Sequence, residues 1–271
     1  MCIYVYVAIC IYAIRNPGGK LMKVIAVINQ KGGVGKTTTA YTVATGLHLR
    51  GYKTLSIDLD QQENFTFTIN VNADKSIYDV LTGNVSIESA VNKTDIGDVI
   101  IADKSLATID TVLNTVGKEY RLKEALDTIK DNYDYVIIDT PPALGILTVN
   151  ALAACDSVII PAQADIYSLQ GIKQLEENIN VIRKYCNPNL KIEGILLTRY
   201  SARSILSREV TEMAQQLAES MNTKVFESKI REAVCIKESQ ISQQSLFTYA
   251  PKAKVTEDYS KLIDELLKEE K

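Results

Sequence analysis

The sequence predicts an α/β protein, with a mostly parallel, twisted sheet and helices on both faces. Two observations carry that prediction. Short Val- and Ile-rich runs alternate with amphipathic stretches from residue 22 onward, and uninterrupted β-branched runs belong to strands covered on both sides. Strand and helix in turn imply parallel pairing through right-handed crossovers.

The elements follow in order. KVIAVIN (23–29) reads as a buried strand, followed by a glycine-rich turn and a helix over 36–50. KTLSIDL (53–59) is the second strand, and SIYDVLTG (76–83) a short helix. DVIIA (98–102) and YDYVIID (133–139) are strands separated by a helix near 119–131. DSVIIPA (156–162) is a strand, 168–185 a helix, and KIEGILL (191–197) a strand. A helix over 205–220, a short strand TKVFES (223–228) and a closing helix over 256–270 complete the pattern. With no internal repeat, low-complexity tract or long linker, residues 22–271 are expected to form one domain.

Residues 1–21 read differently. MCIYVYVAICIYAI is an apolar run of 14 residues followed by Arg15. As a helix it would span about 21 Å against a hydrocarbon core of about 30 Å, too short to cross comfortably. It lacks the basic start and small-residue cleavage site of a signal peptide. Met22 opens the first strand, and the codons of Gly18-Gly19 can read as a ribosome-binding sequence. Residues 1–21 are therefore expected to be a leader extension, with the working start at Met22.

Composition is that of an ordinary globular chain, with 271 residues, 46% apolar and 23% charged. A net charge of −3 gives no global sign of nucleic-acid binding. Locally, residues 199–254 carry nine Lys/Arg against six Asp/Glu, a mild positive excess. The five cysteines show neither zinc nor redox spacing, so they read as buried or incidental thiols. The single His48 falls in the helix after the glycine-rich turn and reads as structural.

That turn carries the chemistry. Gly-Gly-Val-Gly-Lys-Thr (32–37) follows a strand and opens a helix, the context a phosphate loop requires. Its glycines let backbone N–H groups turn inward around phosphate oxygens, and the helix N-terminus adds favourable partial charge. Lys36 would pair with the β- and γ-phosphates, and the Thr37 hydroxyl would hold Mg²⁺. ATP and Mg²⁺ are thus the expected ligands, with Gly32, Gly33, Val34, Gly35, Lys36, Thr37 and Thr38 as the nucleotide loop, on a P-loop NTPase fold.

A second lysine, Lys31, stands at the entrance of the loop. KGGVGKTT resembles the deviant Walker A motif of the ParA/MinD family of ATPases, and lies closest to the ParA-type, Soj-like branch. The resemblance implies that Lys31 reaches across a homodimer interface to the partner's nucleotide, a cation that offsets triphosphate charge where water is scarce. SIDLDQQENFT (56–66) resembles the family's second motif. It implies Asp60 as the residue that orients attacking water and Asp58 as part of the metal shell. The family usually has proline after this aspartate, where Gln61 stands here. YDYVIIDTPPALG (133–145) resembles the Walker B region, implying Asp139 as a metal residue acting through water. VIIPAQADIYSLQG (158–171) also matches. The resemblance covers about residues 22–270.

ParA-type relatives bind DNA without sequence preference as ATP dimers, and MinD-type relatives bind membranes through a basic C-terminal helix. Here the closing helix has an apolar stripe, Tyr259, Leu262, Ile263, Leu266 and Leu267, and a mixed, acidic-tipped polar face. That suits packing on the domain better than anionic lipid. Residues 196–210 and 229–254 resemble ParA segments and hold most of the local positive charge. Arg203, Arg208, Lys237 and Lys252 are the candidate phosphate contacts. Thr198, Arg199, Ile230 and Arg231 are the candidate adenine walls. The resemblance implies a slow, Mg-dependent partition ATPase, stimulated by a ParB-like centromere-binding partner, cytoplasmic and nucleoid-associated, with no membrane expected. The alternative is a MinD-like positioning ATPase. A metal-delivery ATPase or an ATP-dependent ligase on the same scaffold would need cysteine grouping or a substrate pocket.

Overall fold

In the computed structural model, residues 22–202 and 205–268 are described. The expected leader, 1–21, and the candidate Arg203 lie outside them. Six strands join one sheet: β1 (Lys23–Val27), β2 (Thr54–Asp58), β3 (Asp98–Ile100), β4 (Tyr135–Asp139), β5 (Ser157–Gln163) and β6 (Lys191–Thr198). The helices are α1 (Lys36–Leu49), α2 (Asn64–Ile69), α3 (Ile77–Thr82), α4 (Ile87–Ala90), α5 (Ile109–Val112), α6 (Arg121–Asp127), α7 (Ile146–Ala154), α8 (Ile166–Tyr185), α9 (Ile205–Ser220), α10 (Val234–Ile241), α11 (Leu246–Tyr249) and α12 (Lys254–Lys268).

The strand order is β3-β2-β4-β1-β5-β6, and every ladder is parallel. The chain leaves β1 toward β2 and leaves β4 toward β5, so the two central neighbours connect in opposite directions. Such a switch point opens a crevice at the carboxyl ends of the strands, the usual ligand position in this class. The strands alternate as a doubly covered sheet requires. Val24, Ala26 and Ile28 join a core layer with Leu152, Ile172 and Leu175, while Ile25 and Val27 join the opposite layer with Val43, Leu47 and Leu262.

The closing helix packs as its stripe predicts. Tyr259, Leu262, Ile263 and Leu266 are buried, and Ile263 presses on Gly46 of α1, where any Cβ would collide with it. Tyr259 and Thr39 share a hydroxyl hydrogen bond, and Arg50 donates to Asp264 and Ser260. Among the described residues no helix is long and apolar enough to cross a membrane.

One expected element did not form. Residues 223–228 make a single bridge to the sheet, between Val225 and Ile195, rather than a strand. The Glu265 carboxylate accepts the Glu227 and Ser228 N–H groups at 3.0 and 3.1 Å. The donors that would extend the ladder are spent on α12.

Candidate nucleotide site

The phosphate loop hangs from β1 and is tied to the neighbouring strands by its outer atoms. Asn29 Nδ2 donates to the Pro161 carbonyl at 2.7 Å, and Lys31 N–H donates back to Asn29 Oδ1 at 2.9 Å. The Gly33 carbonyl accepts from Gln163 Nε2 at 2.9 Å, and the Val34 carbonyl from Thr198 Oγ1 at 2.8 Å. With these carbonyls engaged outside, the loop N–H groups are left for an anion. Gly35 ends the loop at φ 91°, a left-handed conformation that favours glycine, and offers no side-chain cap to α1. No acidic residue occupies the first turn of α1. The unsatisfied N–H groups of that turn therefore face a ligand rather than their own chain.

Two carboxylates lie under the loop. Asp58 and Asp139 end β2 and β4 in register, and both are fully buried. Neither oxygen of Asp139 has a hydrogen-bond partner. Its pKa stands well above the usual carboxylate range, raised by burial and then by the charge of Asp58, with the neighbouring Thr37 hydroxyl and Lys36 opposing. A buried carboxylate left open beside a hydroxyl and a phosphate loop fits a hard divalent cation that keeps its remaining ligands from phosphate and water. Thr37 and Asp139 could hold it.

Asp58 is committed elsewhere. Its Oδ1 accepts Asp60 N–H at 3.0 Å, and Oδ2 accepts Thr66 N–H at 2.9 Å and Thr66 Oγ1 at 2.8 Å. Burial pushes its pKa up to about 6 against these bonds. Asp58 thus shapes the loop that carries Asp60. Asp60 Oδ1 accepts Gln62 N–H at 3.0 Å, and Asp60 lines the cavity. These two aspartate turns, each to the N–H two residues on, brace the loop where Gln61 replaces the family's proline.

Lys36 is buried along the loop, and its ammonium donates to the Lys31 carbonyl at 3.4 Å. Burial lowers its pKa, and Asp139 and Asp60 work against that. Lys31 points the other way. Its Nζ lies 2.9 Å from Asp165 Oδ2, 3.0 Å from Oδ1 and 3.0 Å from Ser168 Oγ. Asp165 also caps α8 through Ser168 N–H at 2.8 Å. Burial would raise the Asp165 pKa, but the Lys31 and Ser168 bonds outweigh it and hold it low.

The cavity beside the loop measures about 860 Å³. It brings together Gly32, Gly33, Val34, Gly35, Lys36, Thr37, Thr38 and Asp60 with all four candidate adenine residues, Thr198, Arg199, Ile230 and Arg231. The Arg231 guanidinium is held by Asp258, with Nε–Oδ2 2.6 Å and Nη2–Oδ1 2.7 Å, so it serves as wall rather than free charge. Of the candidate DNA cations, Arg208 is exposed on α9 and Lys252 is exposed between α11 and α12. Lys237, expected with them, lines the nucleotide cavity.

Gln163, Asp165, Ser168, Thr66 and Gln240 carry functional contacts that sequence reasoning did not assign. The first three stand in the matched stretch 158–171, where polar residues end an apolar strand, and that was the available signal. Cys155, Cys186 and Cys235 are free thiols, and no group of three or more His, Cys, Asp or Glu among the described residues could hold a metal.

A family model described as an AAA domain matches residues 22–192. The sporulation initiation inhibitor protein Soj of Bacillus subtilis (strain 168) is 38% identical over 250 residues, covering 90% of this chain and 98% of Soj. The chromosome partitioning protein ParA of Caulobacter vibrioides (strain NA1000 / CB15N) is 37% identical over 258 residues, covering 92% and 96%. Among solved structures, cobyrinic acid a,c-diamide synthase from Mycobacterium smegmatis, with bound ATP analog and magnesium, aligns with a TM-score of 0.79. It is 34% identical and covers 91% of this chain and 94% of that one.

Proposed function

Since the chain belongs to the ParA/Soj family of P-loop ATPases, we propose that it is a partition ATPase that works as an ATP-gated dimer. Lys31 carries this reading. It directly precedes Gly32, which lines the cavity, and is held by an ion pair whose side chains are 34% and 30% exposed. Such a pair is weak enough to be exchanged for the phosphates of a second subunit.

Each residue then has a task. The loop N–H groups and Lys36 bind the phosphate chain, and Thr198, Arg199, Ile230 and Arg231 enclose the base. Thr37, and Asp139 through water, would hold Mg²⁺, which would supply neutralising charge to the phosphate chain. Asp60, fixed by its turn to Gln62, orients the attacking water. Asp58 holds Asp60 in place through its N–H. Lys31 completes the partner's site, so hydrolysis is slow in the monomer, and a ParB-like, centromere-bound partner stimulates it in the dimer.

DNA is bound without sequence preference by Arg203 together with the exposed cations Arg208 and Lys252, which two-fold symmetry doubles. Loss of the γ-phosphate removes the charge that joins the subunits, and the DNA face falls apart with them. The same scheme places the protein on the nucleoid. The MinD-like alternative needs an apolar stripe free for lipid, and here that stripe is buried against α1. Sedimentation with DNA and with anionic liposomes, each with and without ATP, tests the reading. ATP-dependent DNA pelleting supports it, and pelleting with liposomes alone overturns it.

A further inference from the structure

Helix α10 closes one side of the nucleotide cavity with two polar side chains that the scheme above leaves unused. Lys237 and Gln240 both line the cavity. Three residues apart on one helix, they share a face. Gln240 Nε2 donates to Thr38 Oγ1 at 3.1 Å, which pins that face to the first turn of α1. The chain entering α10, from Ile230 to Ala233, lines the same cavity, and Ile230 and Arg231 are the walls assigned above to the base. Lys237, an exposed side chain, thus lies on the helix between Gln240, which bonds Thr38, and the Ile230–Ala233 segment assigned above to the base.

The described cations that line the cavity are Lys36, Arg199, Arg231 and Lys237. Arg231 is bound by Asp258, Arg199 faces Glu232 at 4.0 Å, and Lys36 donates to the Lys31 carbonyl. Lys237 alone among them has no hydrogen bond or ion pair with any described residue. An exposed, unpaired ammonium on the wall of a phosphate site is free to take a phosphate oxygen as its counter-charge.

We propose that Lys237 is a nucleotide-binding residue, its ammonium pairing with the phosphate nearest the ribose and Gln240 holding α10 in place for it. The proposal rests on the ATPase reading, and it takes Lys237 away from DNA. Because the ribose-side phosphate is present in ATP, ADP and AMP, all three should feel the residue alike. Lys36, aimed at the outer phosphates, should be felt by ATP and ADP only.

The test measures binding of a fluorescent ADP to the full chain, with unlabelled ADP and AMP as competitors, and DNA binding at saturating ATP analogue. Lys237→Met keeps the aliphatic stem and should weaken both ADP and AMP by about tenfold, the scale of one partly solvated charge-assisted contact. Lys237→Arg should recover most of that loss, and Gln240→Leu should weaken both ligands less. DNA affinity of the nucleotide-saturated Lys237→Met protein should match the parent. Weakening of ADP without AMP, or of DNA without either nucleotide, overturns the assignment. So does unchanged nucleotide affinity in Lys237→Met. A parent protein that binds no nucleotide overturns the ATPase reading itself, a distinct result.

Discussion

Asp58 and Asp139 are paired Cα to Cα across β2 and β4, both fully buried, and the charge of Asp58 adds to burial in raising the cost of ionising Asp139. Asp58 titrates at about 6 because burial outweighs its three hydrogen bonds.

A raised carboxylate pKa gives stability that is present below the unfolded value and is lost as pH rises through the folded one. Nucleotide-free protein should therefore be penalised by Asp58 ionisation between about pH 4 and pH 7. The Asp58→Asn variant loses a hydrogen-bond acceptor at all pH but escapes this penalty. The stability difference should shift toward the variant by roughly 3 kcal/mol across that window, one pKa unit being worth about 1.4 kcal/mol. Denaturant melts of both proteins at several pH values measure it, and a constant difference would refute it.

Asp60→Ala should leave ATP binding intact and lower hydrolysis by about a hundredfold or more, a scale set by loss of a water-positioning group. The ATP dimer should accumulate. Turnover assays paired with light scattering check both effects. Normal turnover would transfer the role to another carboxylate.

The two loop lysines should separate cleanly. Lys36→Ala should abolish tight nucleotide binding, and Lys31→Ala should bind nucleotide as a monomer. Asp165→Asn retains the cap on α8 but weakens the hold on Lys31. It should reach half-dimerisation at about two- to fivefold lower ATP-analogue concentration, the worth of one partly exposed ion pair. Dimerisation of Lys31→Ala at the parent's level would end the cross-subunit scheme.

DNA binding should follow ionic strength. If the dimer contacts about four to six phosphates, the slope of log affinity against log salt should be roughly −4 to −5. Arg208→Ala or Lys252→Ala should lower affinity evenly across sequences and flatten that slope by about one to two units, since symmetry removes two charges. A gel-shift series over salt, with and without ATP, reads this directly.

The six strands and the loop between β1 and α1 were legible because buried parallel strands write themselves as continuous Val/Ile runs. Helix α7 was missed for a related reason. Leu147, Thr148, Asn150, Ala151, Leu152 and Ala153 are all buried, so the helix has no polar face to give it a period. The strand expected at 223–228 failed on a side chain from α12 that local pattern cannot register. The aspartates at the ends of β2 and β4 were visible as residues, but their different commitments were not. Asp58 is occupied by Thr66 in the following helix, and Asp139 is left open. The partner of Lys31 lay furthest from view, 134 residues along the chain. A charge declares itself in sequence, and its counter-charge does so only when the chain has folded.

The seating of α12 on α1 has a thermodynamic corollary. Gly46 against Ile263, Thr39 with Tyr259, and Arg50 with Asp264 join the last helix to the one whose first turn receives phosphate. Binding at one end of α1 and docking along its flank are then linked equilibria, and linkage is reciprocal. Nucleotide should slow amide hydrogen exchange in α12, although α12 supplies only Tyr259 to the cavity wall. By the same factor, a truncation or fusion that loosens the C-terminal helix should weaken nucleotide affinity.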